Sequence, residues 1–353
     1  MLQKLEISNF RGIRKGSLEL SPLTILLGPN NSGKSAILEA LFLIPNPLRS
    51  VPYVLRMEGE PNQRSSYNRA LDAVSFLHES LEYRGYAFLP FNYTAKSSEI
   101  SCLEDDRKYR LRFLMEGDHI FLSTNAEIEN TQMRKFNGVD APVFGSFYSS
   151  WGNIDARYER PWMKNTLLVS SDLTRLGFAY LKSNWTKIAN SRVLKTVARN
   201  SASLSADKYI DFTLEPFLGQ KLELQAYFKN GKRIRLGDIG EGIKNYIVIR
   251  MLYETTAPDT LLWDDIESHL NPRILLHLAN WFGDLIEKKK QVVISTHSLE
   301  AAKIMAGINE EESSIYMTSL DNNRLRTKRL TVNDLENLEK FGIDARASEA
   351  LLF

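Results

Sequence analysis

The chain has 353 residues, 43% hydrophobic and 25% charged, with Lys+Arg 45 against Asp+Glu 43 for a net charge of +2. That is room for about two domains of ordinary globular composition, which excludes wholesale disorder and a strongly basic, histone-like binder but not a local basic patch. The single cysteine, Cys102, excludes a disulfide framework and a cysteine-built zinc site. The opening MLQKLEISNFRG carries charges where a secretory leader needs an apolar stretch. The run 36–45 is interrupted by Glu39 and falls well short of the ~18–20 residues of a membrane span. The chain therefore reads as cytoplasmic, with no membrane partner.

In chain order, Leu2, Leu5 and Ile7 are spaced like a strand, and Leu18 and Leu20 like another. SPLTILLG (21–28) is a short continuous apolar run that fits a buried strand. SAILEALFLI (35–44) holds good helix formers, and IPNP (44–47) stops it. From Pro45 to about Ser205 the periodicity is patchier. A helix is expected over 66–82, and YRLRF (109–113) with HIFLS (119–123) around EGD reads as a β-hairpin. TLLVSS (166–171) reads as a strand, and 172–199 as mostly helical with lysines and arginines on one side. Order returns near Tyr209. LELQAYF (222–228) alternates, KNGK (229–232) turns, and IRL (234–236) starts back. Helices are expected over 242–254, 272–287 and 298–306, and buried strands over 260–263 and 291–296. SIYMTS (314–319) and RLRTKRLT (324–331) are late strands, and 333–352 a helical tail. Strands alternating with helices argue for a parallel sheet covered on both faces. The middle segment reads as an insertion into it.

Four motifs carry chemistry. GPNNSGKS (28–35) fits G-x-x-x-x-G-K-[ST], with an apolar strand before it and a helix after it. Backbone N–H groups of such a loop and helix N-terminus point at phosphate oxygens. Gly28 and Gly33 let the backbone wrap closely, Lys34 brings a charge to the β- and γ-phosphates, and Ser35 offers a hydroxyl to Mg²⁺. A chance match somewhere in a chain of this composition is roughly one in a hundred, and the strand–loop–helix context lowers that. TLLWDDIESHLNP (260–272) ends an apolar strand in Asp264 and Asp265, with Glu267 two residues on. Alone, such a strand end is usually a solvated loop. Beside a phosphate loop it is where the second Mg²⁺ contact belongs, so Asp264 is the candidate metal residue. Asp265 is placed to polarise the attacking water, with Glu267 as the second candidate. STHS (295–298) puts His297 at the tip of the next apolar strand, where a neutral imidazole can hydrogen-bond a γ-phosphate or water. DIGEGIKNY (238–246) sets Gly240 and Gly242 before a helix. As a bare pattern, two glycines in a loop are common.

The order phosphate loop, glycine signature, acidic strand, histidine resembles the ABC-type ATPase heads of the SMC/RecF group, and more closely the compact ATPases related to the OLD family. LEISNFRGIRKGSLELSPLTILLGPNNSGKSAILEAL (5–41) and the stretch 237–302 carry the resemblance; the middle matches only in layout. It implies an α/β fold of P-loop NTPase, ABC-ATPase type: a mainly parallel sheet with helices on both faces, an N-terminal antiparallel β part and a mixed α/β insertion lobe. The implied domains are a split ATPase domain, 1–44 and 206–332, an inserted lobe, 45–205, and a helical tail, 333–353. It also implies a homodimer formed on ATP binding. ATP and Mg²⁺ would sit on Gly28, Asn30, Asn31, Ser32, Gly33, Lys34, Ser35 and Ala36 of one subunit, capped by Gly240, Glu241 and Gly242 of the other. Asn9, Phe10 and Arg11 match an early motif near nucleotide or DNA. Asp264 matches the Mg²⁺ acid, Asp265 the general base, His297 the switch histidine and 268–271 the loop that crosses to the partner.

The chain departs from that pattern. Asp265 stands where the family usually has Glu, so its carboxylate is set back by a methylene; hydrolysis is expected to be slow, with more weight on Glu267. Ile266 replaces a common Pro, and Gly240 replaces the usual Ser. Ser171 or Asp172 stands in for the glutamine loop. The stretch 298–353 is too short for the acidic nuclease domain of OLD enzymes, so no intrinsic nuclease is expected.

The leading reading is an ATP-hydrolysing dimer switch whose nucleotide state controls a nucleic acid, DNA or RNA, or an effector protein such as a nuclease or toxin, in DNA repair or antiphage defence. Lys182, Lys187, Arg192, Lys195 and Arg199, near Tyr180 and Trp185, are candidate phosphate contacts, against the plainer reading of a solvated helix face. The main alternative is an ATP-binding regulator with negligible turnover that holds a nuclease or toxin in check. A transporter nucleotide subunit is disfavoured by the early NFRG stretch and the long insertion. A small-molecule kinase is disfavoured by the glycine signature before the acidic strand.

Overall fold

A computed structural model describes residues 1–55, 67–80, 85–116, 119–127, 136–142, 161, 163–204, 208–218, 222–268 and 270–341. Its centre is strand β3 (Leu23–Leu27), buried at every position. On one side β3 pairs in parallel with β15 (Gln291–Thr296), which pairs with β14 (Thr260–Trp263), which pairs with β10 (Thr166–Val169). On the other side it pairs in parallel with β16 (Ser313–Asp321). Helices cover both faces here, so these strands read as unbroken apolar runs rather than alternations. The register aligns Val169, Trp263, Ile294 and Ile25, so the carboxyl ends of the strands share one edge. The crevice at such an edge is where parallel α/β sheets bind ligands.

Helix α1 (Lys34–Leu43) follows β3 and is buried along nearly its whole length. Ile37, Leu38, Leu41 and Phe42 are each fully buried, worth ~1.5–3 kcal/mol apiece, so Phe42→Ala would cost roughly 3–5 kcal/mol.

Beyond β16 the sheet turns antiparallel through β17 (Arg324–Leu330), β2 (Ile13–Glu19), β1 (Leu2–Phe10), β6 (Ser97–Glu104), β7 (Arg107–Glu116), β8 (His119–Glu127) and β9 (Phe136–Pro142). The β17–β2 junction is parallel and held at the single pair Arg324↔Lys15. β1 alternates buried and solvated positions, as a one-sided strand does. The expected hairpin is β7–β8, closing at Glu116↔His119. Strands β6–β10 all come from the stretch expected as an inserted lobe. The sheet takes them in at both ends, so boundaries at 45 and 205 do not separate two sheets.

Three helices, α3 (Ser171–Ser183), α4 (Trp185–Ala189) and α5 (Val193–Ser201), follow β10. A separate antiparallel sheet, β11 (Tyr209–Pro216), β12 (Leu222–Phe228) and β13 (Arg233–Arg235), leads into α6 (Glu241–Thr256), which packs on α3 and α5. Next come α7 (Pro272–Glu287) and α8 (Leu299–Ala306), and α9 (Val332–Lys340) starts on a capping box of Thr331 and Asp334.

The helix expected over 66–82 needs correction. It is helix α2 only from Ala70 to Leu77. Tyr67–Arg69 is instead strand β5, because Arg69 is extended and pairs with Ser50 of β4 (Ser50–Leu55). Residues 66, 81 and 82 of that expectation, and 342–353 of the expected tail, lie outside the described residues. Among the described residues no helix is long and apolar enough to cross a membrane.

Candidate functional site

The loop after β3 is shaped by two glycines. A Cβ on Gly28 would stand 2.6 Å from the Thr318 carbonyl oxygen and 2.8 Å from its hydroxyl, so only glycine fits. Gly33 caps α1 at φ +90, the left-handed region that glycine enters without strain. Ser32 is buried, and its hydroxyl lies 2.9 Å from that of Thr318, which also donates to the Leu27 carbonyl (3.2 Å). Asn30 and Asn31 are exposed on the rim, and Ala36 is buried behind them. No side chain caps the α1 N-terminus. By contrast Ser170, Asn271 and Ser298 close the N-termini of α3, α7 and α8 with their own oxygens. Helix α1 is thus left with unsatisfied N–H groups facing the loop, the ordinary anion seat of a helix.

Lys34 is folded over this seat. Its Nζ donates to the carbonyls of Gly28 (2.9 Å) and Pro29 (2.8 Å) and lies 3.5 Å from His297 Nδ1. Burial pushes the ammonium below its ordinary pKa, an effect opposed by the negative field of Asp265, Asp264 and Glu267.

The acids arrive on the turn after β14. The Asp264 N–H donates to the Val169 carbonyl (2.8 Å), and its Oδ1 accepts from the Ser295 hydroxyl (2.5 Å). Burial raises the Asp264 pKa, and the Ser295 and Ser35 hydroxyls only partly offset this. Asp265 lies in the left-handed region at φ +50, and its N–H donates to the Ser295 hydroxyl (2.8 Å). Its Oδ1 is 3.3 Å from His297 Nε2. If Nε2 carries the proton towards Asp265, Nδ1 is free to accept from Lys34. Glu267 Oε1 accepts the His297 backbone N–H at 2.5 Å, while its Oε2 is buried with no hydrogen-bond partner among the described residues.

Lys34, Ser35, Asp264, Asp265, Glu267 and His297 thus meet at one sheet edge. Ser171 and Asp172 follow the tip of β10 at the same edge. In the 268–271 loop, Asn271 caps α7 and residue 269 lies outside the described residues. Gly240, Glu241 and Gly242 instead start α6 beyond the three-stranded sheet. Glu241 turns to Lys244 (2.5 Å), and a Cβ on Gly240 would meet nothing within 4 Å. Of the early motif, Phe10 is fully buried against Phe113, and Arg11 Nε pairs with buried Glu39 (3.2 Å), one turn beyond Ser35 on α1. In the basic helical stretch, Lys182 is engaged by the Leu222 carbonyl, Glu223 and the Phe178 ring, while Lys187, Arg192, Lys195 and Arg199 are exposed.

Sequence reasoning missed Ser295 and Thr318. Ser295 sits inside the STHS motif but was overshadowed by its histidine. Thr318 is one of several small polar residues in a late strand and carries no signal of its own.

The residues fit a magnesium nucleotide. Ser35 lies near enough to Asp264 to favour its charged form, and the two offer an all-oxygen pair suited to a hard cation. Among the described residues no group of three or more His, Cys, Asp or Glu could hold a metal alone. A Mg²⁺ here would take its remaining ligands from phosphate and water, its usual habit. When bound, it would supply charge neutralisation at the phosphates.

Residues 23–302 match the family described as "AAA domain, putative AbiEii toxin, Type IV TA system". An OLD nuclease of Thermus scotoductus is 24% identical over 370 residues, covering 98% of this chain and 66% of that protein. The chain therefore spans just under two thirds of that relative's length. An uncharacterised protein of Methanocaldococcus jannaschii is 26% identical over 190 residues, covering 52% of this chain and 72% of that one. Among solved structures, the SmcHead bound to the C-winged helix domain of ScpA superposes with a TM-score of 0.53 at 16% identity, over 95% of this chain and 99% of that one. At that identity the likeness shows the fold alone.

Proposed function

The chain belongs to the AAA-domain family matched over 23–302, and it is an ABC-type ATPase head of the SMC/RecF/OLD-like group; from that premise we propose that it is an ATP-hydrolysing switch working as an ATP-sandwich homodimer. One observation carries this reading. Among the described helices, α1 and α6 begin on glycine without a side-chain cap, at Gly33 and Gly240; α3, α7 and α8 are closed by their own side chains, and α2, α4 and α5 are uncapped but start on Arg69, Asn184 and Arg192. The α1 end faces the loop of its own chain. The α6 end fits the role of a lid on a second subunit's nucleotide. Two open, positively polarised helix ends suit one polyphosphate held between protomers.

In this reading the loop residues 28–36 hold the phosphates, and Ser35 with Asp264 holds Mg²⁺. Lys34 gives up the Gly28 and Pro29 carbonyls for phosphate oxygens, a better partner for an ammonium. Asp265 accepts the proton of the attacking water, and His297 orients it. Glu267 keeps the His297 backbone in place and stands as the second candidate base. ATP-state contacts across the interface close the dimer, and hydrolysis releases it. A nucleic acid, or an effector protein such as a nuclease or toxin, receives the output.

The alternative, a regulator with negligible turnover, draws on the Asp265–His297 pair, which occupies the candidate base. Steady-state ATPase, with and without DNA, separates the two. The switch predicts turnover that Lys34→Ala abolishes, together with ATP-dependent dimerisation by light scattering. Equal rates for wild type and Lys34→Ala would leave the regulator.

A further inference from the structure

Strand β15 is apolar from Val292 to Ile294, and then places a hydroxyl at Ser295, which is completely buried. That residue makes three bonds to three consecutive residues of the acidic turn. Its hydroxyl donates to Asp264 Oδ1 (2.5 Å) and accepts from the Asp265 N–H (2.8 Å). Its carbonyl accepts from the Ile266 N–H (3.1 Å). Asp265 needs that hold, because a left-handed backbone on a non-glycine residue is strained and persists only where the surroundings over-determine it. Serine meets the requirement because a hydroxyl can donate and accept at once. An alanine there would strip Asp264 of a donor and leave the Asp265 N–H unpaired in a buried place.

We propose that Ser295 is the positioning residue of the site, aiming Asp264 at the metal and Asp265 at the water through one hydroxyl. The proposal rests on the nucleotide reading above. Ser295 touches neither nucleotide nor metal; it acts through the two acids, as an outer partner tunes a metal ligand. Among the described residues, the rest of the turn after β14 is anchored by backbone hydrogen bonds, by Glu267 on the His297 N–H and by the contact of Asp265 with His297, none of which holds the Asp264 carboxylate.

The test uses the full chain with a non-hydrolysable ATP analogue and Mn²⁺ as the metal probe, read by electron paramagnetic resonance. Ser295→Ala should weaken Mn²⁺ binding to the protein–nucleotide complex roughly 10–100-fold. Nucleotide binding in EDTA should be unchanged, because the loop is untouched. Ser295→Thr, which keeps the hydroxyl, should restore most of the metal affinity. Ser314→Ala removes another buried serine hydroxyl, on β16 and bonded to Ser21 (2.6 Å), and should lower thermal stability without moving Mn²⁺ affinity. Should Ser295→Ala fail to fold, Ser295→Cys, a poorer donor of similar volume, should show an intermediate loss. Unchanged Mn²⁺ affinity in Ser295→Ala or Ser295→Cys overturns the proposal, as does an equal loss in Ser314→Ala. Failure of the wild type to bind Mn²⁺ and nucleotide together would instead overturn the nucleotide reading, and this proposal with it.

Discussion

Two carboxylates of the large sheet, one in each half, are treated in opposite ways. In the parallel half, Asp264 is largely shielded at a strand tip, and that burial holds its pKa above the ordinary value despite the Ser295 and Ser35 hydroxyls. In the antiparallel half, Glu6 faces solvent on β1. A hydrogen bond from Lys108, helped by Lys4 and Ser101, pulls it from 4.5 to about 2. Glu6 has its cations already, at 2.7 Å from Lys108 and 3.3 Å from Lys4. Among the described residues no cation pairs with Asp264, which has only hydroxyl and backbone partners. Glu6 is electrostatically finished, and Asp264 is waiting for a charge. An under-compensated acid with a raised pKa in a cleft is an ordinary mark of a functional site.

Glycine substitution should break the comparison most visibly. Both halves contain a glycine whose side is blocked. A Cβ on Gly28 would meet the Thr318 backbone oxygen at 2.6 Å, and one on Gly16 would meet Leu325 Cβ at 2.5 Å. Gly28→Ala must displace the phosphate loop, and a displacement of this kind costs on the order of 100-fold in function, read here as affinity for a fluorescent ATP analogue. Gly16→Ala should instead overpack the β2–β17 junction, which is held at one pair, at a cost of about 1–3 kcal/mol seen as a lower melting temperature. Its nucleotide affinity should stay at the wild-type level. Loss of binding in Gly16→Ala would mean that the two halves are not functionally separate.

Within the parallel half, Asp265→Asn sharpens the division of labour. Removing a general base costs ~10²–10⁴ in turnover while sparing binding, so the variant should bind ATP, hydrolyse it far more slowly and accumulate as dimer. Glu267→Gln should lose less, since an amide oxygen can still accept the His297 N–H. If Glu267→Gln is the worse of the two, the base has been assigned to the wrong acid, and the unpaired Glu267 Oε2 becomes the group of interest.

The parallel half was largely legible in the sequence, and the reason is physical. Strands buried on both faces must be continuous apolar runs, so β3, β14 and β15 announce themselves, and the chemistry follows at their carboxyl ends. That placed Lys34, Asp264 and His297 at one edge before any coordinates. The partners of Ser295 and Thr318 were not legible. A buried hydroxyl takes its meaning from the register between strands that are far apart in the chain, and local periodicity carries no register. The pairing of β1 with β6 is hidden for the same reason, which is why 45–205 read as a lobe apart although β6–β9 continue the sheet. Arg11 shows the limit of motif reading: its ion pair with Glu39 depends on how α1 lies against β1, which no spacing encodes.

The smallest effects test the electrostatic contrast directly, through two neutral replacements of opposite sign. Glu6 has a folded pKa below its unfolded value, so its stabilisation is fully present above about 4.5 and is lost as pH falls through about 2. Glu6→Gln should therefore melt slightly lower than wild type near neutrality, and the two curves should converge as pH approaches 2. The effect is small because the pair is well exposed and screened by salt. Asp264 has a folded pKa above its unfolded value, so its ionised form penalises folding at neutral pH, and the penalty fades as pH falls below the ordinary carboxylate range. Asp264→Asn, measured without metal or nucleotide, should accordingly melt higher than wild type near neutrality. Thermal melts across the acid range decide the matter. If both variants shift the same way, the two carboxylates do not differ in charge compensation, and Asp264 is not held waiting for a cation.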